Sequence, residues 1–128
     1  MIADIYELSP LQAGMLFQQA FGSAGYSYFN RFACRLTGDL DVVALRAAWQ
    51  SIVDRHTALR TSFHWEGLER PVQVVHDGVA VPWVDDDWRG LSEDAQRARW
   101  DAWLQEDLAR GFVVGVAPLL RLALFRRF

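Results

Sequence analysis

The chain has 128 residues, of which 52% are hydrophobic and 23% charged, with a formal net charge of -3. Disordered chains combine low hydrophobicity with high net charge, so this composition excludes intrinsic disorder. No stretch approaches the roughly 18 uninterrupted apolar residues of a membrane-spanning helix, and a membrane protein is not expected. All 13 basic residues are scattered arginines, without the basic stripe that follows a phosphate backbone, so nucleic-acid binding is disfavoured.

Aromatic residues are abundant, with six tryptophans, three tyrosines and eight phenylalanines. A single domain is expected at this length, and so much apolar surface is more than a small monomer needs for its own core. Part of that surface is therefore expected to meet a partner. The N-terminus lacks the positive region and apolar core of a secretory signal, which predicts a cytoplasmic location.

Capping signals and apolar periodicity predict three helices. Each predicted helix follows a serine or aspartate that accepts a hydrogen bond from the first turn. The first helix is predicted at residues 10–21 after Ser9, and the second from residue 42 to about 56 after Asp41. The third begins after Ser92, and its predicted buried face carries Trp100, Trp103, Leu104 and Leu108. Ser9 and Gln12 have the spacing of a capping box, with Pro10 at the first helical position.

Period-two patterns and short apolar runs predict the strands. They are 26–37, 61–66, 72–75, 79–83 and 119–125. Alternation over 26–37 places Cys34 on the apolar face, so its thiol is expected to be buried and unreactive. The run 119–125 is apolar almost throughout, which is typical of a strand buried on both faces. Asp85–Asp87 are interpreted as a solvated loop, because no spaced carboxylates follow to complete a cation site.

The order of these elements predicts a mixed α/β, or α+β two-layer, fold in which about three helices pack on a mixed sheet. A strand of the central type at 119–125 needs neighbours on both edges, so more chain is expected to follow in a complete domain. With that edge open, self-association through the exposed strand is expected.

No catalytic residue and no metal site are predicted. His56, His64 and His76 have neither the HExxH spacing nor a second ligand type nearby. His64 is interpreted as a solvated or hydrogen-bonded strand residue. The segment 55–63 is unusual because Arg55 and Arg60 flank a junction between a helix and a strand. Both arginines are expected to satisfy helix-end carbonyls or to pair with carboxylates.

Two motifs resemble those of nonribosomal peptide synthetase condensation domains. The second core motif of that family, RHxxLRTxF, is matched at Arg55, His56, Leu59, Arg60, Thr61 and Phe63. The first core motif is matched at Ser9, Gln12, Met15 and Phe17. On this resemblance, residues 1–128 form a partial condensation domain, the N-terminal lobe of a chloramphenicol-acetyltransferase-like fold.

The resemblance implies a reaction that this chain does not complete alone. A condensation domain makes the amide bond between a carrier-bound donor thioester and an acceptor aminoacyl thioester. Its HHxxxDG motif is absent from this sequence, so the chain is predicted to be inactive by itself. The implied partners are peptidyl and aminoacyl carrier proteins and the remainder of the domain and synthetase. No cofactor is bound covalently, and the phosphopantetheine arms of the carriers tether the substrates.

The resemblance also suggests roles for particular residues. Arg55 and Arg60 correspond to scaffold arginines, Ser9 and Gln12 act first as a capping box, and Met15 is the candidate to face a pantetheine arm. A methionine buried in the core is the alternative for Met15. The alternative for the whole chain is a noncatalytic condensation-like module that docks a carrier protein or a partner enzyme.

Overall fold

A computed structural model describes residues 1–21 and 28–128. In chain order the elements are β1 (Ile2–Glu7), α1 (Pro10–Phe21), α2 (Val42–Arg55), a 3-10 turn (Thr57–Arg60), β2 (Thr61–His64), β3 (Val72–His76), β4 (Trp83–Asp87), α3 (Glu93–Arg110) and β5 (Leu122–Arg126). Within this part of the chain no helix is long and apolar enough to cross a bilayer.

The described strands form two separate sheets. The first is antiparallel in the order β1-β3-β2, and the second pairs β4 with β5 in parallel. In the first sheet β3 is central, with both Val74 and Val75 buried although they point to opposite faces. Both faces of the sheet are therefore shielded from solvent at β3, and this strand lies in the core of the N-terminal half.

All three predicted helices are confirmed, because their start signals act locally. The Ser9 amide donates to Gln12 Oε1 at 2.9 Å, and the Gln12 amide donates to Ser9 Oγ at 3.2 Å, which completes the capping box. Asp41 accepts from the amide of residue 44 and Ser92 from that of residue 95. The second helix ends at Arg55, and His56 is its C-cap.

An aromatic cluster joins α3 to the second sheet. Trp88 is only 3% exposed and stacks on Phe125, with ring centroids 4.2 Å apart. Trp103 and Trp100 of α3 present their rings edge-on to Phe125 at 5.1 and 6.1 Å. Edge-to-face and offset arrangements are the favoured geometries for aromatic pairs, so these rings fix how α3 lies on β5.

The prediction of a strand at 26–37 is wrong for residues 28–37, which have no regular secondary structure. Residues 26 and 27 lie outside the described chain. Its predicted apolar face is exposed, with Phe32 91% accessible, and Cys34 is exposed rather than buried. Phe29 of the opposite face instead packs on Phe112, and Arg31 bonds to Asp107 in α3. Alternation favours a strand only where a neighbouring edge supplies hydrogen bonds, and these residues have contacts with α3 instead.

Other strand boundaries also differ from expectation. The edge strand β1 was not predicted, because all six of its residues are exposed and give no clear period-two signal. Asp85–Asp87 belong to β4 rather than to a loop, although they are solvated as expected. The last strand begins at Leu122 and is half-buried, not buried on both faces, because β4 is its one neighbour in the described chain.

The strand predicted at 79–83 is replaced by contacts with a side chain. Gln50 of α2 donates from Nε2 to the carbonyl of Val79 at 2.8 Å and accepts at Oε1 from the amide of Val81 at 2.9 Å. One side-chain amide thus satisfies the two backbone groups that a neighbouring strand would have satisfied. Only Trp83 of the predicted run lies in a strand, at the start of β4.

The Ser92 cap allows a direct test of this part of the fold. We expect Ser92→Ala to lower the free energy of unfolding by about 1 kcal/mol, because the first turn of α3 loses a side-chain acceptor. Ser51→Ala, at an exposed position inside α2, is the matched control and should not destabilise the protein. Urea unfolding followed by tryptophan fluorescence measures both. Equal stabilities of the two variants would contradict the cap.

Candidate functional site

A cavity of about 200 Å³ lies between α1 and the first sheet. Its walls come from β1, α1, the 3-10 turn, β2 and β3, and the lining residues are Tyr6, Gln12, Thr57, Ala58, Thr61, Phe63 and Gln73. Gln12 belongs to the first sequence motif, and Thr61 and Phe63 belong to the second. The fold therefore brings together three of the predicted motif residues from segments far apart in sequence.

Gln12 holds the wall that α1 contributes. Its side-chain amide exchanges hydrogen bonds with that of Gln73 on β3, at 2.9 and 3.3 Å, while Gln73 also donates to the carbonyl of Glu7 on β1. Because Gln12 Oε1 also accepts from the Ser9 amide, one side chain both caps α1 and ties that helix to the sheet. The prediction that Ser9 and Gln12 form a capping box is confirmed.

Arg60 fixes the opposite side of the site. Its guanidinium donates to the carbonyl of Val53 at 2.9 Å and to that of His76 at 2.6 Å, and pairs with Asp77 at 3.4 Å. Arg60 is 9% exposed, so these bonds satisfy a helix-end carbonyl and a strand-end carbonyl away from solvent. The expectation for Arg60 is confirmed.

Arg55 does not behave like Arg60. Its side chain is exposed, and in residues 1–21 and 28–128 it makes neither a hydrogen bond nor an ion pair. The expectation that it satisfies a carbonyl or a carboxylate is therefore wrong within this part of the chain. As the last residue of α2, Arg55 points into solvent, while Arg60 five residues later turns back under the helix.

The remaining motif residues are placed by backbone bonds. Thr61 is buried and donates its hydroxyl to the carbonyl of Thr57 at 2.8 Å, which closes the 3-10 turn. The Phe63 amide donates to the carbonyl of Val114 at 2.8 Å, so the outer edge of β2 is bonded to the segment after α3. Exposed His56 caps α2 through its backbone amide.

Met15 lies on α1 outside the cavity wall. It is 37% exposed, whereas its neighbour Leu16 is buried at 8%. The interpretation of this methionine as a core residue is therefore wrong, because Leu16 occupies the buried face of the helix.

Two histidines that are isolated in the sequence meet at one serine. Ser62 Oγ lies 2.8 Å from His64 Nε2 and 2.6 Å from His76 Nε2. His64 is thus hydrogen-bonded, as expected, but the view of the histidines as unclustered is corrected. The strand register carries the signal: Ser62 pairs with Val74, which places His76 diagonally across on the same face. No group of three or more metal-ligating side chains occurs among the described residues.

Charge pairs outside the cavity join segments that are distant in sequence. Asp107 of α3 accepts from Arg121 at 2.6 Å and from Arg31 at 3.2 Å, and so ties the 28–37 segment to the chain before β5. On β4, hydrogen bonds from Arg89 lower the pKa of Asp87 to about 2. Both side chains are about half exposed and neither lines the cavity, so the pair is a surface contact.

Comparisons with known proteins agree with the two motifs. The family profile described as the condensation domain matches residues 2–127. The chain belongs to the condensation-domain family. This confirms the family predicted from the RHxxLRTxF segment and its N-terminal companion motif.

Relatives of the chain are large synthetases. Two proteins of the linear gramicidin synthase of Brevibacillus parabrevis are 42% and 45% identical to it over 125 residues. Tyrocidine synthase 2 of the same species is 32% identical over the same length. Each alignment covers 98% of this chain but only 2% of either gramicidin synthase protein and 4% of the tyrocidine synthase.

Solved structures confirm the fold class. The EpoB cyclization-docking bidomain of Sorangium cellulosum superposes with a TM-score of 0.59 and 27% identity, over 69% of this chain and 17% of that one. A condensation domain that mediates chain release from the enacyloxin polyketide synthase gives 0.52 and 26%, over 66% and 16%. The mixed α/β, chloramphenicol-acetyltransferase-like fold expected from the resemblance is confirmed.

The contrast between the two motif arginines is testable. We expect Arg60→Lys to lower the free energy of unfolding by about 2 kcal/mol, because an ammonium cannot reproduce the forked donors that reach two separate carbonyls. Arg55→Lys keeps an exposed charge and should leave stability unchanged. Urea unfolding of both variants measures the difference, and similar losses would contradict the scaffold role of Arg60.

Proposed function

We propose that residues 1–128 form the N-terminal part of a condensation domain in a nonribosomal peptide synthetase. In the complete domain the amine of an acceptor aminoacyl thioester attacks the donor thioester carbonyl. A C–N bond forms, the C–S bond breaks, and the donor carrier leaves as the free thiol. The observation that carries this proposal is the match across residues 2–127, together with at least 42% identity to two gramicidin synthase proteins.

In this proposal the chain supplies a scaffold and no reacting group. The polar atoms of Gln12, Arg60 and Thr61 are hydrogen-bonded to backbone groups or to a side-chain amide. Such bonds suit residues that maintain the geometry of a site and do not react with substrate. Arg55 is a motif side chain that is exposed and has no polar partner in residues 1–21 and 28–128, and we assign it to contacts with parts of the domain outside this chain. The HHxxxDG motif that the family uses is not in the sequence.

The proposed partners are peptidyl and aminoacyl carrier proteins, whose phosphopantetheine arms tether both substrates. Met15 is our candidate contact for such an arm, because it is an adaptable apolar side chain exposed on α1. A cytoplasmic location remains a prediction from the sequence.

A change at Met15 tests both the proposed reaction and the proposed contact. In the full-length synthetase, supplied with two loaded carrier domains, we expect amide formation by the wild type. Met15→Ala should raise KM for the carrier-bound donor several-fold with little loss of kcat, since it removes binding contacts rather than a reacting group. Product is measured by mass spectrometry.

Leu11→Ala is the matched control, because Leu11 is 75% exposed one turn earlier on the same helix. Equal effects of the two substitutions would contradict the assignment of Met15. A wild-type protein that binds loaded carriers yet forms no amide would contradict the condensation proposal and favour the docking module.

The isolated chain is expected to self-associate and to lack activity. One edge of β5 has no neighbour in the described chain, and apolar side chains such as Phe32 are exposed. We expect sedimentation to show concentration-dependent oligomers that bind a hydrophobic dye. Phe32→Asp should weaken dye binding more than Val43→Asp, which changes a residue 80% exposed on α2. A compact monomer that binds no dye, or amide formation by this chain alone, would contradict these expectations.

A further inference from the structure

The cluster of Ser62, His64 and His76 has no part in the proposed function. All three side chains lie on one face of the first sheet, where Ser62 is fully buried and both imidazole rings are half-buried. Each ring directs Nε2 at the same hydroxyl oxygen, at 2.8 Å from His64 and 2.6 Å from His76. Two imidazole rings thus share one partner atom.

The number of hydrogens that the cluster can hold follows from its geometry. A serine hydroxyl offers one hydrogen and two acceptor positions. With both rings neutral, one Nε2–H donates to Ser62 Oγ while the hydroxyl donates to the other Nε2. With one ring protonated the same two bonds remain, one of them charge-assisted. With both rings protonated, both must donate to Oγ, and the hydroxyl hydrogen is left without an acceptor in a buried position.

The surrounding charges do not relieve a second proton: Glu7, which its register with Val72 places on the same face as His64, is already paired with Arg70. Because both Nε2 atoms bond to the same oxygen, they cannot lie farther apart than the sum of the two hydrogen-bond lengths. Two positive charges at that separation repel each other. Arg60 adds a fixed positive charge that donates to the His76 carbonyl, and the neighbouring Asp77 is already paired with it. The amino-terminal Met1 lines the same depression as His76, and residues 113–117 carry no titratable side chain.

The cluster is in contact with the segment that follows α3. His64 Cε1 lies 3.7 Å from the point where a β-carbon on Gly115 would be, so its ring is in van der Waals range of this segment. One residue away the Phe63 amide donates to the carbonyl of Val114 at 2.8 Å. A depression of about 420 Å³, lined by both His76 and Gly115, opens the His76 side of the cluster to solvent. A His64 ring that turns away from Ser62 therefore changes its contact with residues 113–117.

We propose that Ser62, His64 and His76 form a proton-sensitive latch. With at most one proton added, the latch holds residues 113–117 against β2; the second proton releases them. In the released state neither ring depends on Ser62 Oγ, so that state can hold one proton more than the latched state without leaving the hydroxyl hydrogen unpaired. The latched population therefore falls as pH falls, by up to about tenfold for each pH unit, which is the limit for one proton.

Hydrogen exchange with mass spectrometry on the full-length protein tests the latch. Peptides covering 61–66 and 112–117 are followed at about pH 7.5 and about pH 5.5, on either side of the histidine transition, with labelling times corrected for intrinsic exchange. We expect their protection to fall several-fold at the lower pH, within the limit of about tenfold per pH unit, while α3 stays protected. Protection that does not change with pH in the wild type overturns the proposal.

Single substitutions separate the latch from general acid sensitivity. In His76→Gln the amide can still bond to Ser62 but cannot gain a charge, so protection of both peptides should be equal at the two pH values. His56→Gln removes a histidine outside the cluster and should keep the wild-type fall. The same fall in His76→Gln as in the wild type overturns the latch. If His76→Gln also loses protection in α2 at the higher pH, the substitution has destabilised the fold, and His64→Gln replaces it. Protection of both peptides in His64→Gln should then be equal at the two pH values, and a fall like that of the wild type overturns the latch.

Discussion

The guanidinium of Arg60 joins the end of α2, the end of β3 and the residue that follows β3. A helix end buried beside a sheet has carbonyls that solvent cannot reach, and each one left without a donor costs about 1 to 3 kcal/mol. One side chain removes two such costs at once. The direction in which the chain leaves the 3-10 turn, and with it the positions of Thr61 and Phe63 in the cavity wall, depends on this contact.

Local signals in the sequence were reliable, and signals that needed a distant partner were not. The caps at Ser9, Asp41 and Ser92 act within one helical turn, so the residues themselves determine them. Strands depend on a neighbour that sequence periodicity does not name. The 28–37 segment alternates well but has α3 as its contact, while β1 alternates poorly but pairs with β3 along most of its length.

The candidate site shows the same division. Position alone led to the same expectation for Arg55 and Arg60 and was right only for Arg60, whose pairing with β3 also required the register between β2 and β3. The meeting of Ser62 with two histidines likewise follows from that register and from nothing local. The motif residues that reveal the family are mostly those that complete the fold, so the motifs identify the scaffold more securely than the chemistry.

The side-chain amide of Gln50 makes the two backbone hydrogen bonds that a neighbouring strand would otherwise make to residues 79–81. Its donor and its acceptor contact Val79 and Val81, so the connection between the two sheets follows the surface of α2. An amide carries both groups, whereas a carboxylate has only acceptors and an ammonium only donors. No change of charge at this position can therefore keep both bonds. The path between the two sheets is thus attached to α2 through a single side chain, so its position depends on the position of that helix.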